Sequence, residues 1–299
     1  MRVVVLGCGY VGLELARQLL ADGHDVTGVR RSAAGLAAVS EAGADAVEAD
    51  VTEPASLGSL PDGDVLVFAA STGGRGADAA REVYVEGLSN VLAEYGSRTD
   101  PPERVIYTSS TGVYGDHGGD WVDEETPLDP TTEKTEVLVE AERLVLESAA
   151  DHGIDGTVVR FAGLYGPDRF RLDRYLEGPV TAGYLNMIHR EDAAGAVAHL
   201  IETDGARGEV VLVADDEPAD KWAFADWLAD EARVARPEKR AKAERIEAGD
   251  LSPAAERRVR TSKRCRNAKL HDLGYDLTYP TYREGYRSAV EATSETSSD

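Results

Sequence analysis

Cysteine is nearly absent from the chain, which holds only Cys8 and Cys265. Two thiols do not make a disulfide framework. Cys8 sits inside a glycine-rich loop with no histidine near it in sequence, so it reads as a small spacer rather than a nucleophile. The six histidines, His24, His117, His152, His189, His199 and His271, are scattered without HxxxH or CxxC spacing, and no metal site is expected. Long apolar runs are missing too. None approaches the roughly 20 residues that a membrane-spanning helix needs, and the first strand starts within a couple of residues of Met1, leaving no room for an export signal. A cytoplasmic location and no membrane partner are therefore expected.

Lysine is the scarcest of the common charged residues, occurring only at 134, 221, 239, 242, 263 and 269. Against 32 basic residues stand 55 acidic ones, a net charge of -23. The excess is spread along the chain and offers no basic face to neutralise phosphates, which argues against a nucleic-acid partner. A dispersed carboxylate surface with few lysines resembles proteins of salt-loving microbes, where molar salt shortens the Debye length to about 3 Å and screens self-repulsion. With 299 residues, 42% of them hydrophobic, the chain can bury a large core as one domain or two unequal ones.

What is present begins at once. Val3, Val4, Val5 and Leu6 form a short apolar run of buried-strand length, followed by Gly7, Gly9 and Gly12 in GxGxxG spacing, then by a helix with Val11, Leu15 and Leu19 on one stripe. Gly7 permits the tight turn, Gly9 lets backbone approach a pyrophosphate, and Gly12 lets helix pack on strand. The ligand this implies is a dinucleotide on the helix N-terminus, with Tyr10 and Val11 within the same turn. A second strand, Asp25 to Val29, ends in Arg30, Arg31 and Ser32 with no carboxylate at its tip. A free adenosine ribose is usually held there by Asp or Glu and a 2′-phosphate by Arg, so the pair favours NADP over NAD.

Further strand and helix segments follow at the pace of βαβ units: a helix at 32–42, strands near Asp45–Glu48 and Val65–Phe68, a helix at 82–95, a strand at Arg104–Thr108, a helix from Thr131 or Thr132 to about Ala149, and a strand at Gly156–Arg160. The reading is α/β, a Rossmann-type doubly wound parallel sheet with a small C-terminal substrate lobe. Residues 1–167 make the dinucleotide-binding domain, its sheet completed by about 186–214. Segments 168–185 and 215–290 make the lobe, and the polar tail 291–299 is expected to be disordered. Loops leaving the carboxyl ends of strands bind ligands in such folds, which marks Ala69, Ala70, Ser71, Thr72 and Gly73 as cofactor contacts. Ser109, Ser110 and Thr111 at the end of the fifth strand can hydrogen-bond a substrate carbonyl or hydroxyl. Trp121, in an acidic loop, either packs that loop down or faces substrate. Asn90, polar on an apolar helix face, must glue helices or tether a loop. The charged stretch 237–260 reads as an exposed helix or an arm.

The landmarks GCGYVG at 7–12, Asp50 with Val51, SSTGVYG at 109–115 and RFAGLYGP at 160–167 resemble the extended and atypical short-chain dehydrogenase/reductases, the group of NAD(P)-dependent nucleotide-sugar epimerases and dehydratases. LNMIHREDAA at 185–194 and KRCRNAKLHDLGYDLTYPTYREG at 263–285 resemble an atypical subgroup. The resemblance implies that Gly7, Gly9 and Gly12 hold the pyrophosphate, that Arg30 and Arg31 read the ribose phosphate, and that Asp50 and Val51 contact adenine. It puts Ser110 in the place of the catalytic serine, and Asn186, His189 and Arg190 where relatives touch substrate. One departure stands out. Active members carry Tyr and Lys four apart, the lysine lowering a tyrosine pKa that is otherwise about 10. None of the twelve tyrosines here has lysine four positions on.

Three functions are compatible with these residues. One is an oxidoreductase with non-standard proton handling by Ser110 and either Tyr114 or Lys134. Another is a sensor that binds NADP(H) without turnover. The third is an NAD-dependent epimerase or dehydratase, against which Arg30 and Arg31 count. A dinucleotide and a small molecule are the expected partners of a monomer or homodimer.

Overall fold

The computed structural model describes residues 1–72, 76–249 and 251–296. Unbroken apolar runs, which only a strand covered on both faces can bury, supply its centre. Strands β1 (Arg2–Leu6), β2 (Asp25–Arg30), β3 (Asp45–Glu48), β4 (Val65–Phe68), β5 (Arg104–Ser110), β6 (Asp155–Phe161) and β7 (Val210–Val213) form one sheet in the order β7-β6-β5-β4-β1-β2-β3. Every pair in it is parallel. The strand order reverses between β1 and β4, and such switch points open a crevice at the carboxyl ends of the strands.

Helix α1 (Tyr10–Ala21) buries Val11, Leu15 and Leu19 as the 3.6-residue period requires. Helix α2 (Ala33–Glu41) is capped by Ser32, whose hydroxyl accepts from the Gly35 N–H. The helix expected at 82–95 is interrupted: a π turn occupies Glu82–Gly87 before α3 (Leu88–Gly96). The extra residue in that turn brings Gly87 so close to Val51 that a side chain would collide with it. Likewise α4 (Glu133–Arg143), entered through a Thr132–Thr135 capping box, gives way to π geometry at Leu144–Ser148 rather than continuing as α-helix to Ala149. Helices α5 (Arg190–Glu202), α6 (Lys221–Glu231) and α7 (Arg287–Thr296) follow. The last extends into the segment 291–299 that composition assigns to disorder.

Alongside the sheet core lies a separate apolar cluster that includes Tyr165, Tyr175, Phe224, Leu228, Tyr282 and Tyr286, with Phe224 edge-on to three of the rings. The charged stretch 237–260 holds two short helices, Lys242–Glu247 and Pro253–Arg260, neither with a buried residue. Among the described residues no helix is long and apolar enough to cross a membrane.

Candidate active site

The glycine turn is shaped as its spacing requires. Gly7 adopts φ +81° and packs against the backbone of Ala70, leaving no room for a side chain, while a Cβ on Gly12 would stand 3.1 Å from Val5. Helix α1 starts without a side-chain cap and without an acidic residue in its first turn, so its N–H groups are available to an anion. Arg30 leaves β2 and lies between the starts of two helices: its Nη1 donates to the Cys8 carbonyl at 3.1 Å, and its guanidinium covers both Gly9 and Gly35. Two observations fit this crevice to a dinucleotide. Thr72, at the mouth of β4, has a buried hydroxyl with no partner among the described residues, and the arginine and the capped α2 start form a cationic notch beyond the glycine turn.

Neighbouring candidates take definite places. Arg31 pairs with Asp50 at 3.1 Å, and Asp50 also accepts from the backbone and hydroxyl of Thr52, which together hold its carboxyl below the ordinary range despite partial burial. Asn90 donates to the Val51 carbonyl at 3.0 Å, so it is a tether for the loop after β3. Ala69 and Ala70 follow directly on β4, and Ser71 is exposed. Gly73 lies outside the described residues. Burial pushes the Cys8 thiol up to about 11, as befits a spacer. Tyr10 donates to the Pro167 carbonyl at 3.0 Å, with Arg169 stacked 3.9 Å above its ring.

At the carboxyl ends of β5 and β6 opens a cleft of about 270 Å³. Ser110, Thr111 and Gly112 form one wall, Ala162 and Gly163 another, and Tyr184, Asn186, Thr261, Ser262 and Lys263 the rest. Ser110 accepts from the Gly112 N–H at 3.1 Å, which leaves its own proton to donate. The floor segment is pinned. Asn186 donates to the Lys263 carbonyl at 2.9 Å and accepts from the Cys265 N–H at 2.6 Å, while Asp116 accepts from the Ser262 N–H at 2.7 Å.

Comparison with known proteins places this architecture. Residues 3–214 match the NAD dependent epimerase/dehydratase family. The chain belongs to that family. Protein YeeZ of Escherichia coli (strain K12) is 32% identical over 212 residues, covering 67% of this chain and 73% of YeeZ. A 3-diazoavenalumate denitrifying reductase of a Streptomyces species is 28% identical over 323 residues, covering 95% and 99%. A solved structure from Methylobacillus flagellatus, described as of NAD-dependent epimerase/dehydratase type, superposes with a TM-score of 0.77 at 34% identity over 98% of each chain. Homologues in this family are NAD(P)-dependent epimerases, dehydratases and dehydrogenases, and this chain is an enzyme of that oxidoreductase or epimerase kind.

Within this family member, several sequence-stretch candidates do not meet at the cleft. Tyr114 is corrected: its hydroxyl is sealed in the core, where Arg160 Nη1 donates to it at 2.8 Å, and burial raises its pKa well above the ordinary tyrosine value. Arg160 in turn pairs with Glu142 at 2.7 Å, and Ser109 donates to the same carboxylate. His189 is corrected as well. It is buried, its Nδ1 accepts from the Glu191 N–H to cap α5, and burial lowers its pKa to about 4. Arg190 reaches back to Glu14 at 3.4 Å and over the Tyr10 ring, away from the cleft. Trp121 faces outward, 44% exposed and flanked by Arg264 and Arg266. Lys134 stands on the first turn of α4, which packs on the turn after Ser110. Sequence reasoning missed Lys263, a residue only 7% exposed. Its signal was the scarcity of lysine itself.

Proposed function

We propose that this chain is an NADP(H)-dependent oxidoreductase acting on a small carbonyl or sugar-like substrate, and that it handles protons without a Tyr-x-x-x-Lys pair. The observation that carries the reading is the placement of Arg30, bonded to the Cys8 carbonyl across the glycine turn and lying against the first turn of α2. A 2′-phosphate there meets a guanidinium and the N-terminus of a helix, both favourable to negative charge. Because Arg31 is engaged by Asp50, Arg30 is the main reader of that phosphate and Arg31 a secondary one.

Gly7, Gly9, Gly12 and the start of α1 would hold the pyrophosphate, with Asp50 and Val51 beside the adenine and Thr72 at the crevice wall. Bound there, the cofactor supplies or accepts a hydride. The chain's own part is to orient the substrate oxygen: Ser110, with its acceptor side occupied by Gly112, donates to it. A cytoplasmic location and a monomer or homodimer go with this reading.

The test is NADPH oxidation against a panel of small carbonyl compounds, wild type beside Ser110→Ala. Loss of roughly 100-fold in kcat/KM is expected from removing a donor aimed at the developing oxyanion. An unchanged rate removes Ser110 from the mechanism. Saturable cofactor binding with no turnover of any carbonyl would replace the reductase by a binding protein.

A further inference from the structure

One of the six lysines lines the cleft, and two more stand behind Gly183 and Ser262 at its edge. The lining lysine is Lys263, and its Nζ donates to the Gly115 carbonyl at 3.0 Å. Next to Ser262, another lining residue, a Cβ on Gly183 would stand 3.4 Å from Lys221 Nζ, 3.4 Å from Ser262 Oγ and 3.5 Å from Lys242 Cε. Lys239 and Lys269, by contrast, pair with Asp226 and Glu209 at 2.5 and 2.6 Å. Among the described residues Lys221, Lys242 and Lys263 have no carboxylate within ion-pair distance, in a chain that carries 55 acidic side chains. Neighbouring ammonium ions with no carboxylate in direct contact repel one another and, where buried, forgo hydration. Such an arrangement is held by a fold at a cost, and an anion in the cleft offsets it.

We infer that the cleft takes a carbonyl compound bearing a phosphate or carboxylate, whose anionic group Lys221 and Lys242 hold while the Lys263 ammonium and the Ser110 hydroxyl donate to the reacting oxygen. The assignment of the reacting oxygen rests on the reductase reading above; the anion site stands on the geometry alone. In the reducing direction the carbonyl carbon gains a hydride and the C=O π pair moves onto oxygen. Lys263 passes a proton to that oxygen and regains one from solvent. The two electrons come from the reduced nicotinamide of that reading. The electrostatics agree with this use. Burial, with Lys242 and Arg174 nearby against the single carboxylate of Asp220, lowers Lys221 to about 8. Burial also lowers Lys263, with Cys265 and Asp116 opposing. A lowered ammonium is a better proton donor at neutral pH than an ordinary one. The small cleft suits a substrate of keto-acid or single-sugar size, below the few hundred to a thousand Å³ of typical drug-sized ligand sites.

The test labels the whole protein with lysine carrying carbon-13 at Cε, at a salt concentration that keeps it folded. Six signals result, assigned with Lys221→Met, Lys242→Met and Lys263→Met. Inorganic phosphate and oxalate are titrated in, with and without saturating NADP. The expected result is that the signals of Lys221, Lys242 and Lys263 move while those of Lys134, Lys239 and Lys269 stay in place, cofactor bound or not. If all six move alike, or none does, the site is overturned. It is equally overturned if NADP alone moves the three and the probes add nothing, since the cluster then serves the cofactor. In turnover, Lys263→Met should lower kcat roughly 100-fold with the Kd for NADPH unchanged. Lys221→Met should raise KM for an anionic substrate roughly tenfold. A wild-type rate in Lys263→Met contradicts the proton assignment. Should no carbonyl be reduced at all, the reductase reading falls and the lysine signals still decide the anion site.

Discussion

Arg30 and Tyr114 show how one side chain's surroundings decide its use. Both sit near the ends of central strands, yet Arg30 spans an open crevice and Tyr114 is shut into the core. Replacing Arg30 by Ala should weaken NADP(H) by roughly ten- to a hundredfold and NADH far less, since a charge-assisted contact to phosphate is lost only by the former. Equal losses would remove the ribose-phosphate assignment. For Tyr114→Phe the expectation is different. The variant loses a buried hydrogen bond from Arg160, which retains Glu142, so stability should drop by about 1–3 kcal/mol with the pH profile of turnover unmoved. A denaturant titration and a pH–rate profile separate the two. A shifted pH profile would return Tyr114 to the chemistry.

At the scale of elements, the sequence was informative wherever one local cause dominates. The apolar run Val65–Phe68 gives its strand to the residue, and Thr132, one of two threonines expected at the start of its helix, caps α4. The π turns at Glu82–Gly87 and Leu144–Ser148 carry no such mark, because they answer to packing against Val51 and against β6. The cleft was half legible for the same reason. Ser110 and Thr111 follow from their place at the end of a central strand. Lys263 comes from a segment about 150 residues further on, brought beside Trp121–Val122 by the short parallel pairing at Arg264–Cys265. Asn186 holds that segment through two backbone bonds. In Asn186→Ala the Cys265 amide should exchange with deuterium at least tenfold faster, one bond of about 1.5 kcal/mol being lost. An unchanged exchange rate would mean that the pairing strand alone holds Lys263 in place.

The whole molecule adds a constraint that no single element shows. A net charge of -23 from 55 acidic and 32 basic residues is dispersed, and the ion pairs that relieve it are mostly surface pairs such as Arg2–Asp64 and Arg81–Glu140. Exposed pairs contribute little individually, so repulsion among the remaining carboxylates is relieved chiefly by screening. The midpoint of thermal unfolding should therefore fall as salt is removed from molar to millimolar concentration. Full stability in dilute buffer would rule out the salt-adapted reading.

The cofactor site is the central claim, and one measurement reaches it most directly. Calorimetric titration of the ligand-free protein with NADP(H) and NAD(H), side by side at fixed salt, should give stoichiometric binding with NADP(H) favoured by roughly tenfold or more. Either other result would contradict the account: preference for NAD(H) would remove Arg30 as a phosphate reader, and no binding of either would leave the glycine turn and Arg30 to structure alone.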